Sequence, residues 1–276
     1  MSHFDNDWVI DQGWSNYTNA EHATWRTLFE RQARLLPQYA CREFIDGMQR
    51  LPMGATQIPN FNEINVALHA QTGWNIVAVP GLVPDEVFFN HLAHRRFPAG
   101  NFIRNADSLD YIEEPDVFHD VFGHVPMLMN PAIADFIQAY GDGGLRAHRL
   151  GVLPLLARVY WYTVEFGLVK ENGALKVYGA GIASSFTETR FALDDPSPHR
   201  IEFNLPRVMR THYRIDDFQE TYFVLSSLEE LLALSKIDFA PLYGKLRNAP
   251  TFAPRALDAA DSVLIRGTGA YPARKA

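Results

Sequence analysis

The chain has 276 residues, with 25 Lys+Arg against 32 Asp+Glu and a formal net charge of −7. Apolar residues make up 47% and charged residues 21%, a globular composition that excludes a disordered chain. The acidic balance argues against a dedicated nucleic-acid binder, which needs a basic face to displace counterions. A single cysteine, Cys41, excludes internal disulfides and cysteine-based zinc sites and fits a reducing compartment.

Met1 to Trp14 carries Asp5, Asp7 and Asp11 but no apolar core of a leader, so no secretory signal is expected. Glu21 to Leu51 reads as one or two helices interrupted near Pro37: Trp25, Leu28, Phe29 and Leu36 recur at helical spacing, and Pro52 and Gly54 close the segment. Asn62 to Gln71 reads as a short helix ended by Gly73. Trp74 to Val79 is a short β-prone run leading into a Pro80-Gly81 turn. Pro84-Asp85-Glu86 opens a helix expected to reach about Arg96, since Pro suits a first turn and acids there face the positive end of the helix dipole.

Further along, Pro115 to Gly123 and Pro131 to Tyr140 read as helices, and Arg146 to Glu171 as a long helix with Pro154 inside it. Its greasiest part, Gly151 to Val169, holds Arg158 and Glu165, charges that a membrane span tolerates poorly, so a buried helix is expected. Leu175 to Gly179 reads as a strand, Phe218 to Leu225 as β-rich and Leu228 to Ile237 as helical. From Pro250 onward no periodicity is visible, and a loosely held tail is expected. There are no repeats and no linker-like composition shift. These features predict one mainly helical α+β domain over residues 1–276, with a core over about 15–250 and a tail over 251–276. A soluble cytoplasmic protein is the expectation.

Among ten histidines, His91 and His94 lie on an expected helix beside Arg95 and Arg96 and read as surface or snorkelling residues. His3, His22, His69, His148, His199 and His212 receive the same reading. His119 and His124 differ in their setting, Glu113-Glu114-Pro115-Asp116-Val117-Phe118-His119-Asp120-Val121-Phe122-Gly123-His124-Val125-Pro126. Five residues on a regular helix turn about 500°, which leaves the two rings about 140° apart. They can share an ion only if the helix ends between them, and Gly123 and Pro126 stand where such an end is expected. Glu165 lies among Val159, Tyr160, Trp161, Tyr162, Val164 and Phe166, where a carboxylate is costly unless a cation compensates it. A metal ion is one such cation, and Arg158 is the other candidate. Two imidazoles and one carboxylate on one face of an octahedron make the ligand set of non-haem iron(II) oxygenases. The same trio also serves zinc hydrolases.

The run from Phe102-Ile103-Arg104 through Pro115-Asp116 to His119-Asp120-Val121-Phe122-Gly123-His124-Val125-Pro126 resembles the aromatic amino acid hydroxylases. So do Tyr160-Trp161-Tyr162-Thr163-Val164-Glu165-Phe166, Tyr178-Gly179-Ala180-Gly181, Ser184-Ser185-Phe186 and Glu188, in the right order over roughly Gly73 to Val224. The resemblance implies the catalytic domain of that family, of compact bacterial type, without a regulatory domain or a tetramerisation helix, and hence a monomer. It implies that His119, His124 and Glu165 hold iron(II). It implies a tetrahydropterin lying between Gly81-Leu82-Val83, Phe88 and Tyr160, with Asp120 nearby. Arg104 would take the substrate α-carboxylate as a two-pronged fork. Ser184 and Ser185 would add hydroxyl contacts, with Gly181 nearby, and Pro115, Trp161, Phe166 and the His119 ring would wall the aromatic side chain.

Relatives often have Thr-Pro-Glu-Pro-Asp where this chain has Ile112-Glu113-Glu114-Pro115-Asp116. Ile215 stands where tyrosine hydroxylases tend to have Asp. The implied reaction is hydroxylation of phenylalanine by dioxygen to tyrosine. Tryptophan hydroxylation is the alternative within the family, and a zinc hydrolase or a non-catalytic binding protein the alternatives outside it. No nucleic-acid or membrane partner is expected.

Overall fold

The computed structural model describes residues 7–110 and 114–271. His3, Asp5, the Ile112-Glu113 departure and the last five residues of the expected tail lie outside the described residues. A short 3₁₀ turn (Trp14–Asn16) precedes α1 (Asn19–Tyr39), which Thr18 and Glu21 start with a reciprocal capping box. Pro37 sits in the last turn of α1, and the break falls at Ala40-Cys41 before α2 (Arg42–Arg50). Cys41 is fully buried. Next come α3 (Phe61–Thr72), β1 (Asn75–Val79), α4 (Asp85–Ala93) and β2 (Arg96–Gly100).

β1 and β2 pair in parallel, Asn75 opposite Arg96 through Val79 opposite Gly100, with α4 as the crossover that a parallel pair requires. The expected helix from Pro84 therefore stops at Ala93, and Arg95 takes a positive φ of 53° before the chain turns into β2. Pro98 hides this strand in the sequence, because proline is poor in a ladder except where its nitrogen faces away from the partner. β2 has a neighbour on one side only, so Pro98 is tolerated.

A π-helical segment (Phe118–His124) runs directly into α5 (Val125–Leu128). α6 (Pro131–Arg149) follows, then α7 (Leu153–Tyr160), which passes into a second π-helical turn (Trp161–Glu165). The long helix expected over Arg146 to Glu171 is thus three pieces. The break falls at Gly151, and Pro154 sits in the first turn of α7, where no N–H is required of it. Leu168 to Glu171 is not helix but β3, forming a hairpin with β4 (Ala174–Val177). Its apolar pair Leu168-Val169 looks the same in sequence whether it continues a buried helix or starts a strand.

The rest comprises α8 (Ala180–Ala183), α9 (Phe186–Asp194), β5 (His199–Glu202), α10 (Leu205–Val208), β6 (Thr221–Leu225), α11 (Glu229–Leu234), α12 (Ala240–Leu246) and β7 (Val263–Ile265). The larger sheet has the order β4-β3-β6-β5-β7, with β3/β6 and β5/β6 parallel and the outer pairs antiparallel. The buried apolar residues form one continuous cluster from Trp25 to Tyr243. The fold is the mainly helical α+β arrangement that the sequence predicts.

Other expectations fail as well. The segment after Pro250 is not loose within the described residues: β7 pairs with β5, and Asp261 meets the buried guanidinium of Arg207 at 2.9 Å. His91 is not at the surface either. It is fully buried, with Nε2 at 2.8 Å from the carbonyl oxygen of Asp7, and burial lowers its pKa. His199, read in the same way, is buried too, its Nδ1 accepting the Gly267 N–H at 2.8 Å. His94 is exposed as expected. No helix among the described residues is long and apolar enough to cross a membrane.

Candidate metal centre and its cavity

His119 and His124 approach each other by a route that the regular helix does not offer. The helix does not end between them. Instead the backbone widens to the π form, whose bonds run i→i+5 rather than i→i+4. Residues five apart then stack along one side, much as residues four apart do on an α-helix. The Nε2 atoms of the two rings lie 3.3 Å apart. Pro126 does not stop the chain but falls in the first turn of α5.

Glu165 arrives from the second π-helical turn, closed by the N–H of Phe166 donating to the carbonyl of Trp161 at 2.8 Å. Its Oε1 lies 3.2 Å from His124 Nε2 and its Oε2 3.5 Å from His119 Nε2. Arg158 is not its partner; that guanidinium donates to the carbonyl of Met209. The backbone of Glu165 is held tightly. A Cβ added to Gly179 would stand 2.4 Å from the Glu165 carbonyl oxygen and 2.5 Å from the Gly167 nitrogen, so only glycine lets the strand-to-helix turn pass there.

This trio is the only cluster of three or more metal-capable side chains among the described residues. Donor atoms about 2.1 Å from an ion stand roughly 3.0–3.4 Å apart for octahedral to tetrahedral angles, and the three separations here fall close to that range. The tautomer of His119 suits a metal as well. Ser184 Oγ donates to the carbonyl of Ala180 at 2.8 Å and so accepts from His119 Nδ1–H at 3.0 Å, which leaves the Nε2 lone pair free. Burial pushes the His119 pKa down to about 4 despite the Glu165 charge beside it, so the ring is a neutral donor near neutral pH. Burial raises the Glu165 pKa, but the two imidazoles more than offset this and hold it below the usual carboxylate range. The residues present fit a ferrous ion in a two-histidine, one-carboxylate face.

The linkage has a testable sign. A buried histidine with a pKa near 4 takes up its proton far more readily in the unfolded chain, where its value is near 6.5. The stability contributed by neutral His119 is therefore complete above pH 6.5 and lost as the pH falls toward 4. Thermal unfolding of the metal-free protein should show its midpoint falling across that window. His119→Gln should flatten the profile, and an equally steep one would disprove the assignment.

Two of the trio, His119 and Glu165, open on a cavity of about 360 Å³. Its walls include Arg104, Pro115, His119, Trp161, Glu165, Phe166, Gly181, Ser184 and Ser185, so every residue expected at the amino-acid end reaches one space. The two serine hydroxyls already have local work: Ser184 bonds His119 and Ala180, and Ser185 Oγ caps α9 by accepting from the Glu188 N–H. Trp161 donates from Nε1 to Gln219 Oε1 at 3.2 Å and stacks on Tyr213 with ring centres 4.2 Å apart.

Asp116 was not singled out for a role in the sequence. It is fully buried and takes Arg104 in a two-pronged pair, Nε to Oδ2 and Nη2 to Oδ1, both 2.8 Å. It also accepts the backbone N–H of His119 at 2.9 Å. One carboxylate therefore orients both the expected substrate anchor and a residue of the candidate metal trio. Burial opposes its charge, but the Arg104 bonds and charge and the backbone donors win and lower its pKa. The available signal was an acid between Pro115 and the apolar run Val117-Phe118, where a charge needs a partner.

Of the residues expected around a pterin, Leu82 lines the cavity, its N–H donating to Glu114 Oε1 at 2.7 Å. Gly81 and Val83 flank it. Phe88 and Tyr160 meet edge to face at 5.8 Å, and Tyr160 stacks with the His124 ring at 6.3 Å. Phe88, Tyr160 and Asp120 do not line the 360 Å³ space itself. Asp120 accepts the Gly100 N–H at 2.8 Å, and burial pushes its pKa up to about 7.

Residues 13–240 match the family model described as biopterin-dependent aromatic amino acid hydroxylase. A Caulobacter vibrioides protein named phenylalanine-4-hydroxylase is 57% identical over 265 residues, covering 96% of this chain and 90% of that one. The protein of that name from Chromobacterium violaceum is 52% identical over 267 residues, covering 97% and 90%. A crystal structure of Chromobacterium violaceum phenylalanine hydroxylase with bound iron(III) and 7,8-dihydrobiopterin superposes with a TM-score of 0.91 at 52% identity, covering 96% of this chain and 95% of that one. Another, bound to cobalt, gives 0.92 with the same coverage.

Proposed function

The chain belongs to the biopterin-dependent aromatic amino acid hydroxylases, and from that membership we infer that it is an iron- and tetrahydropterin-dependent monooxygenase converting L-phenylalanine and dioxygen to L-tyrosine. The observation that carries the site is the convergence of His119, His124 and Glu165 at 3.2–3.5 Å, beside a cavity that His119, Glu165 and Arg104 line. Bound together, ferrous iron and tetrahydropterin supply the reductive activation of dioxygen.

The protein's share is placement and exclusion of water. His119 and His124 offer neutral nitrogens and Glu165 a carboxylate, which leaves one face of the ion open. Asp116 holds the Arg104 fork so that its remaining N–H groups can take the substrate carboxylate. Pro115, Trp161 and Phe166 wall the phenyl ring, and Trp161 and Glu165 lie on one turn, so ring and ion are set by the same backbone. Gly181 keeps the Phe166 ring close, since a Cβ there would stand 2.9 Å from it. Ser184 acts through His119, and Ser185 through the start of α9. Gly81, Leu82 and Val83 with Phe88 and Tyr160 are the residues assigned to the flat pterin, with Asp120 behind them. Ile215, which lines the cavity though 78% exposed, supports phenylalanine over tyrosine because tyrosine hydroxylases tend to have Asp at that position.

The decisive experiment is product analysis of purified, iron-loaded protein given phenylalanine, dioxygen and a tetrahydropterin. Tyrosine formed in step with pterin oxidation is the expected result. Preferential turnover of tryptophan would move the specificity within the family. Tightly bound zinc with no pterin-dependent oxygen uptake would replace the reading with a hydrolase. A monomeric cytoplasmic protein with the whole chain as one catalytic domain belongs to the same proposal, and light scattering tests the monomer.

A further inference from the structure

The loop from Arg214 to Gln219 carries much of the cavity wall: Ile215, Asp216, Asp217, Phe218 and Gln219 all line it. It has no regular structure of its own, so its position depends on side-chain anchors. Gln219 is one. Nearly fully buried, it accepts from Trp161 Nε1, accepts from the Arg214 N–H and donates to the Arg214 carbonyl. Phe218 is the other. Its ring lies 4.7 Å from Phe191 of α9 and 5.6 Å from Tyr271, and Phe191 and Tyr271 meet at 4.9 Å, closing a three-ring cluster.

Tyr271 in turn ends a segment fastened along its length. β7 pairs with β5; the Gly267 N–H donates to His199 Nδ1 at 2.8 Å. The Thr268 and Gly269 N–H groups donate to the Pro196 and Ser197 carbonyls at 2.9 and 3.0 Å, and Arg255 donates to the Thr268 carbonyl. A Cβ at Gly267 would stand 2.2 Å from the Ser197 oxygen, so the backbones touch. These contacts lead from the sheet to the Tyr271 ring.

The geometry points to Tyr271 as a positioning residue that, through Phe218 and Gln219, fixes the loop walling the amino-acid cavity and with it the Trp161 ring. The inference rests on the reading of that cavity as the phenylalanine site, and its consequences separate from it. A displaced wall weakens amino-acid binding and lets the ring sit badly for attack. Metal and pterin, held by other elements, are unaffected.

The test compares Tyr271→Ala and Tyr271→Phe in the full-length, iron-loaded protein. For Tyr271→Ala, KM for phenylalanine should rise about three- to tenfold, the size expected when aromatic pairs of this geometry are deleted. Tyrosine formed per pterin oxidised should fall, while iron content and KM for the pterin stay unchanged. Tyr271→Phe should restore both values, because it keeps the ring that meets Phe191 and Phe218. Hydrogen exchange without substrate supplies a readout independent of turnover. Amides of residues 214–220 should exchange faster in Tyr271→Ala while β3 and β6 keep their protection. Unchanged exchange in the loop, or a uniform rise across the molecule, overturns the inference, whichever amino acid the enzyme hydroxylates. An unchanged KM with full coupling overturns it equally.

Discussion

Glu165→Ala is expected to yield a folded protein that fails to retain iron and forms no tyrosine. Glu165 is the only anionic donor of the three, 3.2 Å from His124 and 3.5 Å from His119, with its side chain 13% exposed. Disturbing a residue that merely orients a ligand costs about 10–100-fold in metal affinity, and removing the ligand itself costs more. The fold should survive, because the π-helical turn is held by backbone bonds and by Tyr162 and Thr163 facing the core, not by the carboxylate. Metal analysis after dialysis, together with thermal unfolding, reads both parts. In the parent, added ferrous ion should raise the unfolding midpoint, since a ligand bound only by the native state stabilises it. In the variant it should not. A Glu165→Ala protein with one iron per chain and ordinary turnover would remove Glu165 from the site.

Arg104→Ala should be damaging on two counts that experiments can separate. It deletes the proposed charge-assisted contact to the substrate carboxylate, about 1.5–3 kcal/mol, or roughly a ten- to 150-fold rise in KM for phenylalanine. It also leaves Asp116, with no exposed surface, as a buried carboxylate whose cation is gone. Breaking a buried pair from one side costs about 3–5 kcal/mol. Because Asp116 also accepts the His119 N–H, the damage should reach the metal-ligating helix and lower kcat as well. Arg104→Met combined with Asp116→Leu removes the stranded charge. It should recover stability relative to Arg104→Ala while KM stays high. If the double variant binds phenylalanine as the parent does, Arg104 is not the carboxylate anchor.

The local chemistry of the chain was legible without coordinates to an uneven degree. The candidate metal trio can be named because each member breaks the pattern around it: two histidines beside Gly123 and Pro126, and one acid in the aromatic run Tyr160 to Phe166. The way the histidines meet could not be read. An i→i+5 helix has no propensity signature of its own, so a spacing of five looked like a helix end instead of a wider helix. β2 was hidden by Pro98, and β3 by an apolar pair that also suits a buried helix. The Arg104–Asp116 pair joins residues 12 apart through a bend that no periodicity encodes.

What the sequence determined by itself is the inventory of chemistry: neutral nitrogen donors, one compensated acid, an arginine fork, aromatic walls and enough apolar surface for a core. Those follow from composition and short-range pattern, which act within a few residues. The tertiary structure alone decided the distances, the tautomer of His119 set by Ser184 65 residues away, and the stitching of residues 263–271 to β5 and the 195–199 turn. These arise from contacts between segments far apart in the chain, whose energies depend on packing and burial that exist only once the whole core has formed.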